Sequence, residues 1–184
     1  MKKITVYCSS ATGLPDDLTE TAHALGRTIG EEGCALVYGG VNAGLMHDVA
    51  AGASAAGAQV IGIVPEMFLH RADPLCTTVI ETPDLNTRKS RMIAEADIFV
   101  VLPGGVGTID EWVSTVSHFM ASGTVGGSAK PIIVYNREGL FENMAAQFAE
   151  TNASIFSRGR MANPGIIVST KEELLEALRK EIKR

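Results

Sequence analysis

Hydrophobic positions along the chain switch repeatedly between two periods. Short runs with no polar interruption, such as Ile98–Leu102, alternate with longer stretches whose apolar residues recur every three to four positions. The first kind reads as a buried parallel strand and the second as an amphipathic helix. Strands are predicted at Ile4–Cys8, Ala35–Tyr38, Gln59–Val64, Thr77–Glu81, Ile98–Leu102, Pro131–Tyr135 and Ile166–Val168. Helices are predicted at Asp16–Glu32, Leu45–Ala56, Asn86–Ala94 and Leu140–Thr151, with a further one starting near Thr108. In that helix Ile109, Trp112, Val113, Val116 and Met120 share a face expected to be buried. Pro15 opens the first helix and Gly33 stops it. Thr170-Lys171-Glu172-Glu173 is a capping box that opens the last helix.

This alternation implies right-handed βαβ units and an α/β fold. The expected form is a doubly wound, Rossmann-like, mostly parallel sheet of about seven strands with helices on both faces. No repeat, low-complexity tract or linker interrupts residues 1–184, so one nucleotide-binding domain is expected. Ligands of such sheets sit at the carboxyl ends of the strands. The loops after Cys8, Tyr38, Glu81 and Leu102 are therefore the ones expected to carry chemistry.

The loop Leu102-Pro103-Gly104-Gly105-Val106-Gly107-Thr108 joins a buried strand directly to a helix. Its glycines permit positive φ and close ligand approach, and its N–H groups meet a helix N-terminus, which favours an anion. Thr108 adds a hydroxyl. Tyr38-Gly39-Gly40-Val41-Asn42-Ala43-Gly44 is a second glycine loop, but Leu45-Met46 follow where a P-loop needs Lys and Ser/Thr. The first βα unit has no G-x-G-x-x-G, which argues against a dinucleotide cofactor. Ser9 and Ser10 end the first strand with two hydroxyls that serve either ribose and phosphate or the following turn.

Arg88 and Lys89 stand near a helix start, where cations oppose the dipole; they mark either a bound phosphate or a solvated basic surface. Glu111 follows Thr108 by three residues. It projects beside the bound anion or is an ordinary first-turn acid, as Asp110 also can be.

Composition narrows the classes. Hydrophobic residues make up 46% and charged residues 20% of the 184, which suits a globular protein. A net charge of -5 lacks the footprint of a nucleic-acid binder, and aromatics at 5% give no base-stacking platform. Three cysteines without a C-x-x-C pair argue for a reducing, cytoplasmic setting. Neither a signal-peptide core nor a membrane-length apolar run is present. His23, His47, His70 and His118 form no metal-binding pattern, so no metal is expected.

Taken together, Cys8-Ser9-Ser10, Val37-Tyr38-Gly39-Gly40 with Gly44-Leu45-Met46, Arg88-Lys89 with Met92, and Pro103-Gly104-Gly105-Val106-Gly107-Thr108-Ile109-Asp110-Glu111 resemble the Lonely-guy (LOG) family. These are cytokinin riboside 5′-monophosphate phosphoribohydrolases, often labelled lysine decarboxylases. The likeness covers nearly the whole chain in the family's order and spacing. It implies N-glycosidic hydrolysis of a nucleoside 5′-monophosphate to free base and ribose 5-phosphate, without a cofactor, in a homodimer or larger homo-oligomer. It makes Arg88 and Glu111 the catalytic pair. Nucleotide contacts fall to Gly104, Gly105, Val106, Gly107, Thr108, Ser9, Ser10, Gly39, Gly40, Gly44, Met46 and Lys89.

The chain departs from the family pattern at His47, where Gly is usual, at Asn86 in place of His, at Ser114 in place of Glu, and in a long His118–Lys130 stretch without W-x-Q-L-G. A rival reading on the same scaffold is a carrier of a phosphorylated nucleotide or pterin-type cofactor that cleaves nothing. A pyridoxal-phosphate decarboxylase is disfavoured, because Lys89 and Lys130 are Schiff-base candidates only by elimination.

Overall fold

The computed structural model describes residues 1–121, 130–155 and 163–184. Seven strands form one sheet: β1 (Lys3–Tyr7), β2 (Ala35–Tyr38), β3 (Val60–Pro65), β4 (Thr78–Thr82), β5 (Ile98–Val101), β6 (Ile132–Tyr135) and β7 (Ile166–Val168). Their order is β4-β3-β2-β1-β5-β6-β7, and every pairing is parallel. The expected doubly wound α/β architecture is thus present. The chain reverses its direction of travel between β1 and β5, which lie in register from Ile4↔Ile98 to Tyr7↔Val101. A crevice opens at the carboxyl edge wherever such a reversal occurs.

The helices are α1 (Asp16–Glu31), α2 (Gly44–Ala55), α3 (Leu85–Glu95), α4 (Val106–Ala121), α5 (Glu142–Ala153) and α6 (Lys171–Ile182). Predicted boundaries hold to within a residue or two, and the capping box forms as expected. Glu173 N–H donates to Thr170 Oγ1 at 3.2 Å, and Thr170 N–H donates back to Glu173 Oε2 at 3.2 Å. Because side chains alternate along each strand, the sheet feeds two cores. Ile4 and Val6 join Leu25, Val49 and Leu178 beneath α1, α2 and α6. Tyr7, Phe99 and Val101 join Met92, Trp112 and Val116 beneath α3 and α4, with Phe148 of α5 packed against them.

Glycines set how closely α1 and α2 meet. A Cβ on Gly26 would lie 2.0 Å from the Val49 carbonyl oxygen, and one on Gly52 would lie 2.0 Å from that of His23. The α4 face differs in detail from the periodic pattern: Val113 is exposed, while Glu111 and Thr115 take buried positions. Among the described residues no helix is long and apolar enough to cross a membrane. Most of the His118–Lys130 stretch, residues 122–129, lies outside the described residues.

Candidate functional site

A cleft of about 390 Å³ occupies the crevice between β1 and β5. One wall is the end of β1 and its loop, from Cys8 to Ala11; the opposite wall is Gly105, Gly107 and Thr108 at the start of α4. Arg88 and Glu111 also face it, and Met46, Phe68 and Leu85 supply apolar surface. The two main loops touch directly, since Ser9 N–H donates to the Pro103 carbonyl at 3.3 Å.

The glycine loop works by space rather than by backbone handedness. Among the described residues the positive-φ glycines do not include Gly104, Gly105 or Gly107. A Cβ on Gly104 would fall 2.1 Å from Thr108 Oγ1, so that glycine lets the threonine hydroxyl fold back over the loop. A Cβ on Gly105 or Gly107 would meet nothing within 4 Å, which leaves the face above α4 open. The N–H groups of the first turn of a helix have no intrahelical acceptor and favour an anion placed there. Val106 is 83% exposed and adds its N–H rather than its side chain to the turn.

Arg88 and Glu111 form a buried ion pair, with Arg88 Nη2 donating to Glu111 Oε1. Their side chains are only 11% and 4% exposed. The cation that opposes the dipole of α3 is therefore balanced by an acid from α4. Asp84 caps α3, accepting from Thr87 N–H at 2.8 Å, and that bond holds its carboxyl below the usual range. Burial pushes the Glu111 carboxyl from 4.5 up to about 7; Arg88 pulls it down, Asp110 adds to the rise and Lys89 opposes it. A carboxyl raised towards neutrality suits proton transfer. Arg88 Nε is buried with no hydrogen-bond partner among the described residues, and a buried orphan donor beside a cleft marks a place for a ligand.

Glu111 is held from below. Thr115 Oγ1 donates to the Glu111 carbonyl at 2.9 Å, and Tyr7 Oη meets the same hydroxyl at 2.9 Å. Tyr7 and Cys8 are both buried, and burial raises the pKa of each well above its ordinary value. Both stay neutral near pH 7, so Cys8 meets the cleft as a thiol.

The other predicted residues divide. Ser9 Oγ accepts from Ala11 N–H at 3.0 Å and so serves the turn as well as the wall, while Ser10 lines the cleft. Gly39 does not line it; a Cβ there would meet Met46 Cε at 2.9 Å and Arg88 Nη1 at 3.3 Å, so this glycine makes room for both side chains. Gly40 (φ 70°) packs on Val64 and Gly62, and Gly44 (φ 52°) brings α2 against the Ala11 carbonyl. Lys89 pairs with Asp110 at 2.7 Å and reaches Ser114 Oγ at 3.3 Å, and it does not line the cleft. His47 Nδ1 lies 3.0 Å from Asp73 Oδ2, on the wall of a neighbouring hollow. Asn86 is exposed on α3.

Phe68 and Leu85 were not singled out by sequence reasoning. Phe68 comes from a 3-10 turn, Glu66–Arg71, inside a stretch with no period to read. Leu85 is 44% exposed as the first residue of α3, just after the Asp84 cap. A large apolar residue immediately after a cap, on a strand's carboxyl side, is the signal that would have found it.

Comparison with known proteins adds four findings. Residues 46–178 match the family model described as "Possible lysine decarboxylase". A cytokinin riboside 5′-monophosphate phosphoribohydrolase from Mycobacterium marinum is 33% identical over 95% of this chain and 91% of its own length. One from Mycobacterium tuberculosis is 35% identical over 78% and 75%. Among solved structures, the molybdenum cofactor binding protein of Rippkaea orientalis is 25% identical, with a TM-score of 0.73 over 98% of this chain and 97% of that one.

Proposed function

This chain belongs to the family described as possible lysine decarboxylases, and on that footing we propose that it hydrolyses the N-glycosidic bond of a nucleoside 5′-monophosphate. The observation that carries the reading is the buried Arg88–Glu111 pair beside an open helix N-terminus, in one cleft at the β1/β5 crevice. The phosphate accepts N–H groups from the first turn of α4 and the Thr108 hydroxyl. The base lies against Met46, Phe68 and Leu85, surfaces that suit an adenine ring with or without an apolar substituent. The relatives named as cytokinin riboside 5′-monophosphate phosphoribohydrolases support that substrate class.

As the C1′–N bond breaks, positive charge builds on the ribose, and a carboxylate stabilises that state. Water adds at C1′, and its proton passes to Glu111; the departing base takes up a proton, leaving free base and ribose 5-phosphate. Arg88 keeps part of Glu111 ionised against the cost of burial and fixes its orientation. A lysine Schiff base has no support in the cleft, since no lysine is among its described lining residues.

The Rippkaea orientalis structure motivates a second reading, in which the same site carries a phosphorylated ligand intact. Incubation with AMP, followed by chromatography, separates the two. Release of adenine with ribose 5-phosphate is expected; bound AMP that is recovered unchanged refutes the hydrolase.

A further inference from the structure

A second hollow, about 340 Å³, lies on the other side of the glycine loop. Ser9 belongs to both walls, and the loop is divided between the two spaces. Gly105, Gly107 and Thr108 face the main cleft, whereas Pro103 and Gly104 face the hollow. An anion seated at the first turn of α4 therefore stands at the boundary. The hollow's other surfaces are chiefly Leu14 and Leu18 at the start of α1 and Leu140 after β6.

Charge decides what such a space accepts. Arg137 lines it, but its guanidinium is committed to Asp17 at 2.8 and 3.3 Å and to Glu138 at 2.9 Å. One cation faces two carboxylates, so a second phosphate finds no partner there. Leucines and a proline suit a neutral apolar group. The wall is also preformed. Buried Asn136 accepts from Phe141 N–H at 2.7 Å and donates to Glu142 Oε2 at 3.0 Å. Between these anchors Glu138 holds a left-handed backbone (φ 53°), a conformation kept only where the surroundings over-determine it.

We propose that this hollow receives an apolar substituent esterified to the nucleotide's phosphate, so that the protein takes nucleoside 5′-phosphodiesters as well as monophosphates. The proposal rests on the reading of the α4 N-terminus as the phosphate seat. The nucleoside fills the main cleft, the phosphodiester bridges at Ser9 and the glycine loop, and the organic arm lies against Leu14, Leu18 and Leu140. The bond cleaved is unchanged: water adds at C1′, the base leaves protonated, and the sugar product keeps its phosphodiester.

The test compares AMP with its methyl and phenyl 5′-phosphate esters by calorimetry. The two esters carry the same charge and differ in the ring. Burying on the order of 100 Å² of apolar ring at ~25 cal/mol per Å² sets an upper limit of roughly 60-fold. Partial enclosure lowers the expected phenyl-over-methyl preference to about tenfold. Leu140 is 56% exposed, so Leu140→Asp is tolerated by the fold. That variant should cut the preference below about threefold and leave base release from AMP unchanged, because an added carboxylate opposes the ring. Equal affinity for the two esters overturns the proposal, as does a preference that survives Leu140→Asp. Failure of AMP itself to bind strikes the phosphate seat, and the proposal falls with it.

Discussion

Replacing Glu111 by Gln removes one charge and little else. The amide oxygen still accepts from Arg88, so the guanidinium keeps a partner, and the side chain keeps its volume in a site only 4% exposed. The magnitude follows from Coulomb's law. A carboxylate about 4 Å from a full positive charge contributes about 4 kcal/mol at an effective dielectric of ~20. The neighbouring Arg88 offsets part of that, and the sugar carries only part of a charge, so roughly 2.7 kcal/mol is left, a loss of about 10²-fold in turnover. The pH profile gives an independent reading. In the proposed role Glu111 acts as a carboxylate, and burial raises its pKa to about 7, so activity should rise with pH through that value and level off above it. The substrate phosphate also titrates, near ~6, and adds its own limb to kcat/KM. The discriminating comparison is therefore between the two proteins on one substrate, with base release followed by chromatography. In Glu111→Gln the limb near pH 7 should vanish while any limb near ~6 persists. Turnover within tenfold of the parent, or an unchanged limb near pH 7, refutes the assigned role.

Three further outcomes follow from the same geometry. AMP should bind at least ~100-fold more tightly than adenosine in calorimetry, because the open α4 N–H groups and Thr108 meet the phosphate alone. Gly105→Val should weaken AMP binding tenfold or more by filling the open face of the loop; melting should shift little, since a Cβ there meets nothing within 4 Å. Gly26→Ala should do the reverse, because its Cβ would lie 2.0 Å from the Val49 oxygen. Forcing α1 from α2 costs about 1–3 kcal/mol, seen as a fall in Tm of roughly 3–10 °C with AMP turnover of the folded protein retained.

The fold was legible because its signals are local. Ile98–Leu102 is short and apolar at every position, which suits a strand covered on both faces, and Thr170 and Glu173 announce the last helix from three residues apart. The candidate site was legible in part: Ser9, Ser10, Met46, Arg88, Gly105, Gly107, Thr108 and Glu111 line one cleft, while Gly39, Gly40, Gly44 and Lys89 stand outside it. Lys89 and Arg88 are neighbours in sequence with the same charge, yet one helical step of ~100° separates them. Arg88 turns into the cleft toward Glu111, and Lys89 turns to Asp110. Nothing in the local sequence decides which of two adjacent cations is buried, because the choice depends on where α4 packs against α3. The loop glycines show the same gap. Their presence predicts freedom of the backbone, but here Gly104 serves the Thr108 side chain and Gly105 serves empty space.

The Arg88–Glu111 pair also sets the crevice, as the proposed seat of chemistry, apart from the hollow beside Arg137. Removing two charges from water is costly, and a hydrophobic pair of similar volume generally holds a fold at least as well. The pair therefore has a weak claim as a stabilising device. Its claim as a reactive one is stronger, because burial and the guanidinium act on Glu111 in opposite directions and leave its carboxyl near 7. Burial alone would keep the acid neutral, and an exposed ion pair would keep it fully ionised. A group balanced between those limits changes state for a small change in its surroundings, such as an arriving phosphate or a cation forming on a sugar. In the hollow, Arg137 is matched to Asp17 and Glu138, whose side chains are 59% and 73% exposed to water. Solvent screens those charges, so the trio adds little to the turn after β6, which the Asn136 hydrogen bonds hold, and the leucines remain the hollow's main apolar surface.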